Sequence, residues 1–348
     1  MVTIKEVAEK AGVSITTVSH VVNETRYVSD ELTEKVFEAM RDLNYRPNIV
    51  ARSLRSGQTK TIGLILPDIS NPFFADFSRK IEDKGFTFGY NVILCNADED
   101  DEKQQRYIDV LLSKQVDGLI FFSTSGMEQI HHFLQRYDIP VVVTDREPEG
   151  FNSDIVLIDN RLGGYQAAEY LLSLGHRRIG CISGPSLIRP SAQRVNGFRA
   201  ALQEAGVDVD EELIRMGTFR FESGEAEMKY LMNLPDPPTA VFTCNDVMAL
   251  GAMKAIQSAG LQVPEDFSVV GFDNSPLSKM VYPQLTTIAQ PIKEMADLTV
   301  ELLVEKIHLK ENQKRNKQLT PEYQRIVLDT NIVVRESCMM LNRELQAV

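Results

Sequence analysis

The chain has 348 residues, 43% of them hydrophobic, with 37 Lys/Arg against 49 Asp/Glu for a formal charge of −12. This composition is ordinary for a globular protein, and the length allows two or three domains with real cores. No run of about 18 apolar residues marks a membrane span, and no basic start followed by an apolar stretch marks a signal peptide, so a cytoplasmic location is expected.

Four cysteines, Cys95, Cys181, Cys244 and Cys338, lie far apart, with no pair at metal-ligand spacing. Three of them sit in or at the ends of apolar strand-like runs and read as buried thiols. Neither a metal, a cofactor nor a catalytic centre is expected. The charge is uneven: residues 1–60 hold nine Lys/Arg and eight Asp/Glu, so the acidic excess lies beyond them. Within that first segment, Asn44 to Lys60 carries Arg46, Arg52, Arg55 and Lys60 and no acid. A local basic stretch can face a polyanion whatever the net charge.

Taken in chain order, Thr3-Ile4-Lys5-Glu6 has the form of a capping box opening a short amphipathic helix. Gly12 suits the tight turn that follows, since it tolerates a left-handed conformation. Ser14 then caps a second helix, Ile15 to Asn23, whose inward stripe is Val18, Val21 and Val22. Ile15, Thr16, Ser19 and His20 are left for its other side. A third helix begins near Ser29 and runs to about Leu43, with Leu32, Val36, Phe37 and Met40 expected inward. Two short helices joined by a glycine turn and braced by a third make a helix-turn-helix. The short, uncharged, hydrogen-bonding groups on the second helix suit base edges in a major groove.

From residue 61 apolar strand-like runs alternate with helical patterns. Strands are expected at 61–66, 91–95, 117–122, 140–144 and 155–158, with helices near 73–88, 102–114 and 127–137. A second series has strands near 178–183, 239–243 and 267–272 and helices near 162–174, 191–205, 223–233 and 246–259. The chain then crosses back near Thr287–Gln290 into a helix at 292–307 and a last pair of strands near 325–335. Near-continuous apolar strands separated by helices indicate parallel sheets covered on both faces, here in two α/β lobes. Asp98–Glu102 is an acidic run expected at a helix N-terminus facing solvent. His131 and His132, adjacent on one helix, point about 100° apart and would not share a metal.

Ligands of such sheets bind beyond the carboxyl ends of the strands. At those ends stand Asn71, Phe73 and Phe74, then Asp145 and Arg146, Arg194, Phe219, Asn245, Asp273 and Gln290. Helix capping explains an Asp or Asn at such a place, and Asp246 is read as a cap, but capping does not explain two arginines and three aromatics. Carboxylates and amides pair with hydroxyls, arginine donates planar paired hydrogen bonds, and phenylalanine covers the C–H side of a ring. Asp145, Asp273, Arg146 and Arg194 sum to zero charge, which favours a neutral sugar over a phosphorylated ligand. Phe73 and Phe74, which one core should not accept in the same way, read as a stacking clamp, and Phe221 could compete with Phe219.

The first sixty residues resemble the headpiece of the lactose-repressor (LacI/GalR) family. The resemblance rests on Lys5-Glu6-Val7-Ala8, Ala11-Gly12-Val13-Ser14, Thr17-Val18-Ser19, Val22-Asn23, Asn44-Tyr45-Arg46-Pro47-Asn48 and Ala51-Arg52-Ser53-Leu54. It implies a transcriptional repressor, not an enzyme, acting as a homodimer on palindromic operator DNA. It places Thr3, Ser14, Ile15, Thr16, Thr17, Ser19, His20, Asn23, Ala51, Leu54 and Arg55 at the DNA, with Ile15, Thr16 and His20 reading bases. Leu54 matches a minor-groove wedge.

The implied organisation is α/β: an all-α helix-turn-helix headpiece, 1–46, a hinge helix, 47–57, and an effector-binding and dimerisation body, 58–348. That body resembles two-lobed periplasmic sugar-binding proteins with doubly wound parallel sheets. The first lobe would take about 60–159 and 290–320, the second about 160–289 and 321–337. The ten strand-end residues fall on the ribose-contact positions of that pattern, held in register by Gly197-Phe198, Met248-Ala249-Leu250-Gly251 and Gly271-Phe272-Asp273. The resemblance implies release from DNA by ribose. A purine, a hexose or a phosphoprotein corepressor is the alternative.

Overall fold

The structure, a computed structural model, describes residues 2–23, 26–46, 58–122, 137–146, 153–313 and 323–341. Ala51, Leu54 and Arg55 of the expected hinge lie outside the described residues, as do the histidine pair and nearly all of the helix expected at 127–137. The chain forms two compact units, Met1–Thr59 and Lys60–Val348.

Among its described residues the first unit holds three helices, α1 (Ile4–Ala11), α2 (Ile15–Asn23) and α3 (Asp30–Asp42). The capping box forms: Thr3 Oγ1 accepts from the Glu6 amide, and Glu6 Oε2 accepts from the Thr3 amide at 2.7 Å. Gly12 takes φ +67° and ends α1. Val7, Ala8, Val18, Val21, Val36 and Ala39 form the core, with Val22 and Met40 packed against it. Phe37 does not join them. It is 43% exposed, because one residue past the buried Val36 turns a side chain about 100° around the helix. Ala39 takes the inward place.

The second unit carries two six-stranded sheets. The first runs in the order β11-β5-β4-β3-β1-β2, all parallel. Its strands are β1 (Thr61–Leu66), β2 (Asn91–Asn96), β3 (Gly118–Phe122), β4 (Val141–Thr144), β5 (Asp154–Ile158) and β11 (Arg325–Leu328). Helices α4 (Pro72–Thr87) and α5 (Asp101–Ser113) follow β1 and β2. The second sheet, in the order β12-β10-β9-β8-β6-β7, is parallel except where β12 meets β10. It comprises β6 (Ile179–Ser183), β7 (Ile214–Met216), β8 (Ala240–Thr243), β9 (Ser268–Asp273), β10 (Thr286–Ala289) and β12 (Asn331–Val333). Its helices are α6 (Asn160–Ser173), α7 (Arg189–Glu204), α8 (Phe221–Met232) and α9 (Asp246–Ser258).

The long helix α10 (Ile292–Gln313) packs back on α4 and on β3, β4 and β5 of the first sheet. One boundary differs from expectation. Residues 321–337 do not all belong to the second lobe, because β11 pairs with β5 in the first sheet and only β12 reaches the second. The chain therefore crosses between lobes after β5, after β10 and between β11 and β12. Short strands with exposed alternate residues, as in β11, give no hint in sequence of which sheet edge they will join.

Two helix pairs carry the second lobe's half of the cleft. A Cβ on Gly164 would overlap the Arg194 carbonyl, and one on Gly197 the Arg161 carbonyl, so α6 and α7 meet backbone to backbone. Gly224 and Gly251 do the same for α8 and α9, against Met248 and Phe221. Such contact leaves no slack, and it fixes the helix starts, where Arg194, Phe219 and Asn245 stand.

Candidate functional site

A cleft of about 730 Å³, counted to its open mouth, lies between the lobes and is lined by all ten of the predicted strand-end residues. Its further lining includes Asp68, Asp98, Glu99, Ile188, Pro190 and Arg220, none of which was expected there from sequence. Asp98 and Glu99 belong to the acidic run: Asp100 caps α5 as expected, with Asp101 and Glu102 in its first turn, but the first two acids face the cleft. Phe221 is not part of the lining.

On the first-lobe wall, Asn71 caps α4 through a 3.0 Å bond from the Phe73 amide, with Pro72 starting the helix. Phe73 and Phe74 are both buried, 4% and 9% exposed, and both border the cleft. They do not form a parallel clamp. Their rings meet edge to face, 5.1 Å apart at 69°, and each also meets Phe122 edge on. One core accepts both because Phe122, which also packs on Phe77 at 4.6 Å, gives the two directions a common partner.

Asp145 leaves β4 with φ +69° and is buried. Arg146 lies 3.6 Å from its carboxylate and reaches Glu99 at 3.4 Å. Among the described residues, the buried Nε of Arg146 makes no hydrogen bond.

The second-lobe wall is organised around Arg194. Its Nε donates to Asn160 Oδ1 at 2.8 Å and its Nη1 to the Cys244 carbonyl at 2.5 Å. The guanidinium lies 3.7 Å over the Phe272 ring, and Nη1 is 3.9 Å from Asp273 Oδ1. Asp273, at φ +116°, accepts from Gln290 Nε2 at 2.7 Å, and the buried Gln290 Oε1 has no hydrogen-bond partner among the described residues. Burial pushes the Asp273 carboxyl well above the usual range, Arg194 opposes this, and the Asp246 and Asp145 carboxylates add to it.

Asn245, not Asp246, caps α9: its Oδ1 accepts from the Met248 amide at 2.8 Å, and its Nδ2 donates to the Phe219 carbonyl at 2.9 Å. Asp246 is the first helical residue and is fully buried, accepting from the Ser275 amide and the Thr287 hydroxyl. Burial raises it to about 6. Phe219 takes φ +61° and packs its ring on Gly184, where any Cβ would overlap it. Asp68 Oδ2 meets Arg220 at 3.7 Å across the cleft mouth. Among the described residues the lining carries five acids against three arginines.

In the first unit, Ser14 Oγ accepts from the Thr17 amide at 3.0 Å and so caps α2. Ile15 and Thr16 are exposed at the start of that helix, while Thr17, Ser19, His20 and Asn23 are half-buried. Asn23 Nδ2 donates to the Ser19 carbonyl at 2.8 Å. Thr3 serves the α1 cap described above. The exposed start of a second helix is the part of a helix-turn-helix that enters a major groove.

Comparison with known proteins agrees with both units. Residues 3–48 match the bacterial regulatory proteins of the lacI family, and residues 168–338 match a periplasmic binding protein-like domain. The ribose operon repressor of Escherichia coli (strain K12) is 40% identical over 322 residues, 92% of this chain and 98% of that protein. The HTH-type transcriptional repressor PurR of Vibrio atlanticus (strain LGP32) is also 40% identical, over 92% of this chain and 97% of its own. Among solved structures, the lac repressor dimer bound to operator and the anti-inducer ONPF superposes with a TM-score of 0.82 at 29% identity, covering 97% of this chain and 99% of that one. The chain belongs to the LacI family and is a DNA-binding transcriptional repressor, not an enzyme.

Proposed function

We propose that the cleft binds a neutral sugar, D-ribose foremost, and that the sugar releases the repressor from its operator. The observation that carries this is the acceptor-rich, net-negative lining, in which Asp145 and Asp273 stand beside Arg146 and Arg194. An anionic or phosphorylated ligand is disfavoured by a described lining that holds five acids against three arginines. A pentose offers four hydroxyls, each able both to donate and to accept, and so can serve the carboxylates and two buried atoms that make no hydrogen bond among the described residues, Gln290 Oε1 and Arg146 Nε. A purine base brings fewer donors for the same carboxylates. The relative named for the ribose operon supports the sugar; the PurR relative makes a purine the competing ligand.

In this reading Asn71, Phe73, Phe74, Asp145, Arg146, Arg194, Phe219, Asn245, Asp273 and Gln290 contact the effector. Ile15, Thr16 and His20 read bases and a homodimer binds a palindromic operator; the hinge helix expected at 47–57, with Leu54 as its minor-groove wedge, lies outside the described residues. A helix of about two turns is marginal alone in water, so closure of the cleft can control it through the body. By linkage, operator must weaken sugar binding by the factor with which sugar weakens operator binding. Calorimetry against D-ribose, a hexose and a free purine base, with fluorescence anisotropy of operator with and without ribose, tests the scheme. Heat with the purine alone removes the sugar reading, and operator affinity unchanged by ribose removes the coupling.

A further inference from the structure

Asp273 and Asn274 follow one another with φ of +116° and +54°. Neither is glycine, and such backbone persists only where its surroundings hold it. Two side chains from distant parts of the chain do the holding. Arg335, just beyond β12, donates from Nη2 to Asn274 Oδ1 at 2.5 Å, and from Nη1 to Ser278 Oγ at 3.0 Å and the Leu285 carbonyl at 2.6 Å. Asp246 takes the next amide, that of Ser275, at 2.7 Å, and also the Thr287 hydroxyl, whose oxygen accepts from the Asn274 amide at 3.3 Å. Gly271 leaves the room that the Asp246 carboxylate occupies, since a Cβ there would overlap Oδ1.

Asn274 is therefore gripped by its side chain and its amide, directly after the carboxylate that faces the cleft. Arg335 is not part of the cleft lining, so it cannot act on a ligand directly. Its guanidinium is also the cation nearest in effect to the buried Asp246, so the grip carries its own charge balance.

We propose that Arg335 is a positioning residue for effector recognition, holding the strained Asp273–Asn274 exit of β9 so that the Asp273 carboxylate meets the sugar. The proposal rests on the sugar reading of the cleft. Lysine cannot replace it, because one ammonium cannot reproduce the planar fork that spans Asn274, Ser278 and Leu285.

The test is calorimetry with D-ribose on the full-length wild type, Arg335→Gln, Asn274→Gly and the double variant, each also melted by circular dichroism. Asn274→Gly keeps the positive φ accessible and removes the same contact from its other end, so it reads the clasp even where Arg335→Gln fails to fold. Each single variant is expected to bind ribose about tenfold more weakly, and the double variant no more weakly than Arg335→Gln alone. Arg335→Lys should not rescue binding. A lower melting temperature with ribose affinity within twofold of wild type would overturn the proposal, as would losses that multiply in the double variant. Absence of ribose heat with the wild type refutes instead the sugar reading, so the two failures are distinguishable.

Discussion

Replacing Arg194 by methionine keeps most of the side chain's length and removes only its guanidinium. The loss comprises two hydrogen bonds, to Asn160 and the Cys244 carbonyl, the 3.9 Å ion pair with Asp273, and the 3.7 Å stacking on Phe272. Arg194 and Asp273 are 5% and 4% exposed, so surface screening does not discount the pair. Where Asp273 is ionised, removing its partner costs about 3–5 kcal/mol, chiefly because the carboxylate stays buried and uncompensated. For a body of this size that lowers the melting temperature by on the order of 10 °C.

The effect has a pH signature. Burial already holds the Asp273 carboxyl above its unfolded value, and Arg194 is the main influence lowering it. A raised carboxyl contributes stability that is complete below the unfolded value, about 3.9, and is lost as pH rises through the folded one. Without Arg194 the folded value rises further, so the variant should lose more as pH increases. Its deficit against wild type is expected to grow as pH rises and to shrink as pH falls toward the unfolded carboxyl value. The chain contains no tryptophan, so the melts are best followed by far-ultraviolet circular dichroism. A deficit under about 1 kcal/mol, or one independent of pH, would refute the reasoning and leave Arg194 as a packing residue only.

Two further outcomes test other parts of the molecule. Gly184→Ala places a Cβ against the Phe219 ring; a shift of the ring should weaken ribose binding at least tenfold in calorimetry, and an unchanged affinity would remove Phe219 from the site. Thr16→Ala changes an exposed residue at the start of α2; it should cost about 1–3 kcal/mol of discrimination between operator and altered operator in an anisotropy competition, with non-specific binding and the headpiece melt unchanged.

Much of this protein is written locally. The capping box at Thr3 and Glu6, the glycine turn at Gly12 and the valine stripe of α2 are short-range features, and their periodicity identifies the headpiece without reference to the rest of the chain. The buried strands of both sheets are near-continuous apolar runs, and the residues at their carboxyl ends had to converge once the sheets were parallel. For that reason all ten predicted residues border one cleft. What sequence alone left undecided depends on meetings between distant segments. Phe37 and Ala39 compete for one inward place, and only the packing of α3 chooses between them. β11 could have joined either sheet, because four residues of half-exposed strand carry no address. Two adjacent phenylalanines share a core only because Phe122 arrives from β3. Arg335, which grips Asn274 from 61 positions away, has no local signature. A hydrogen bond spanning such a separation leaves no periodicity in the sequence, so only the folded chain reveals it.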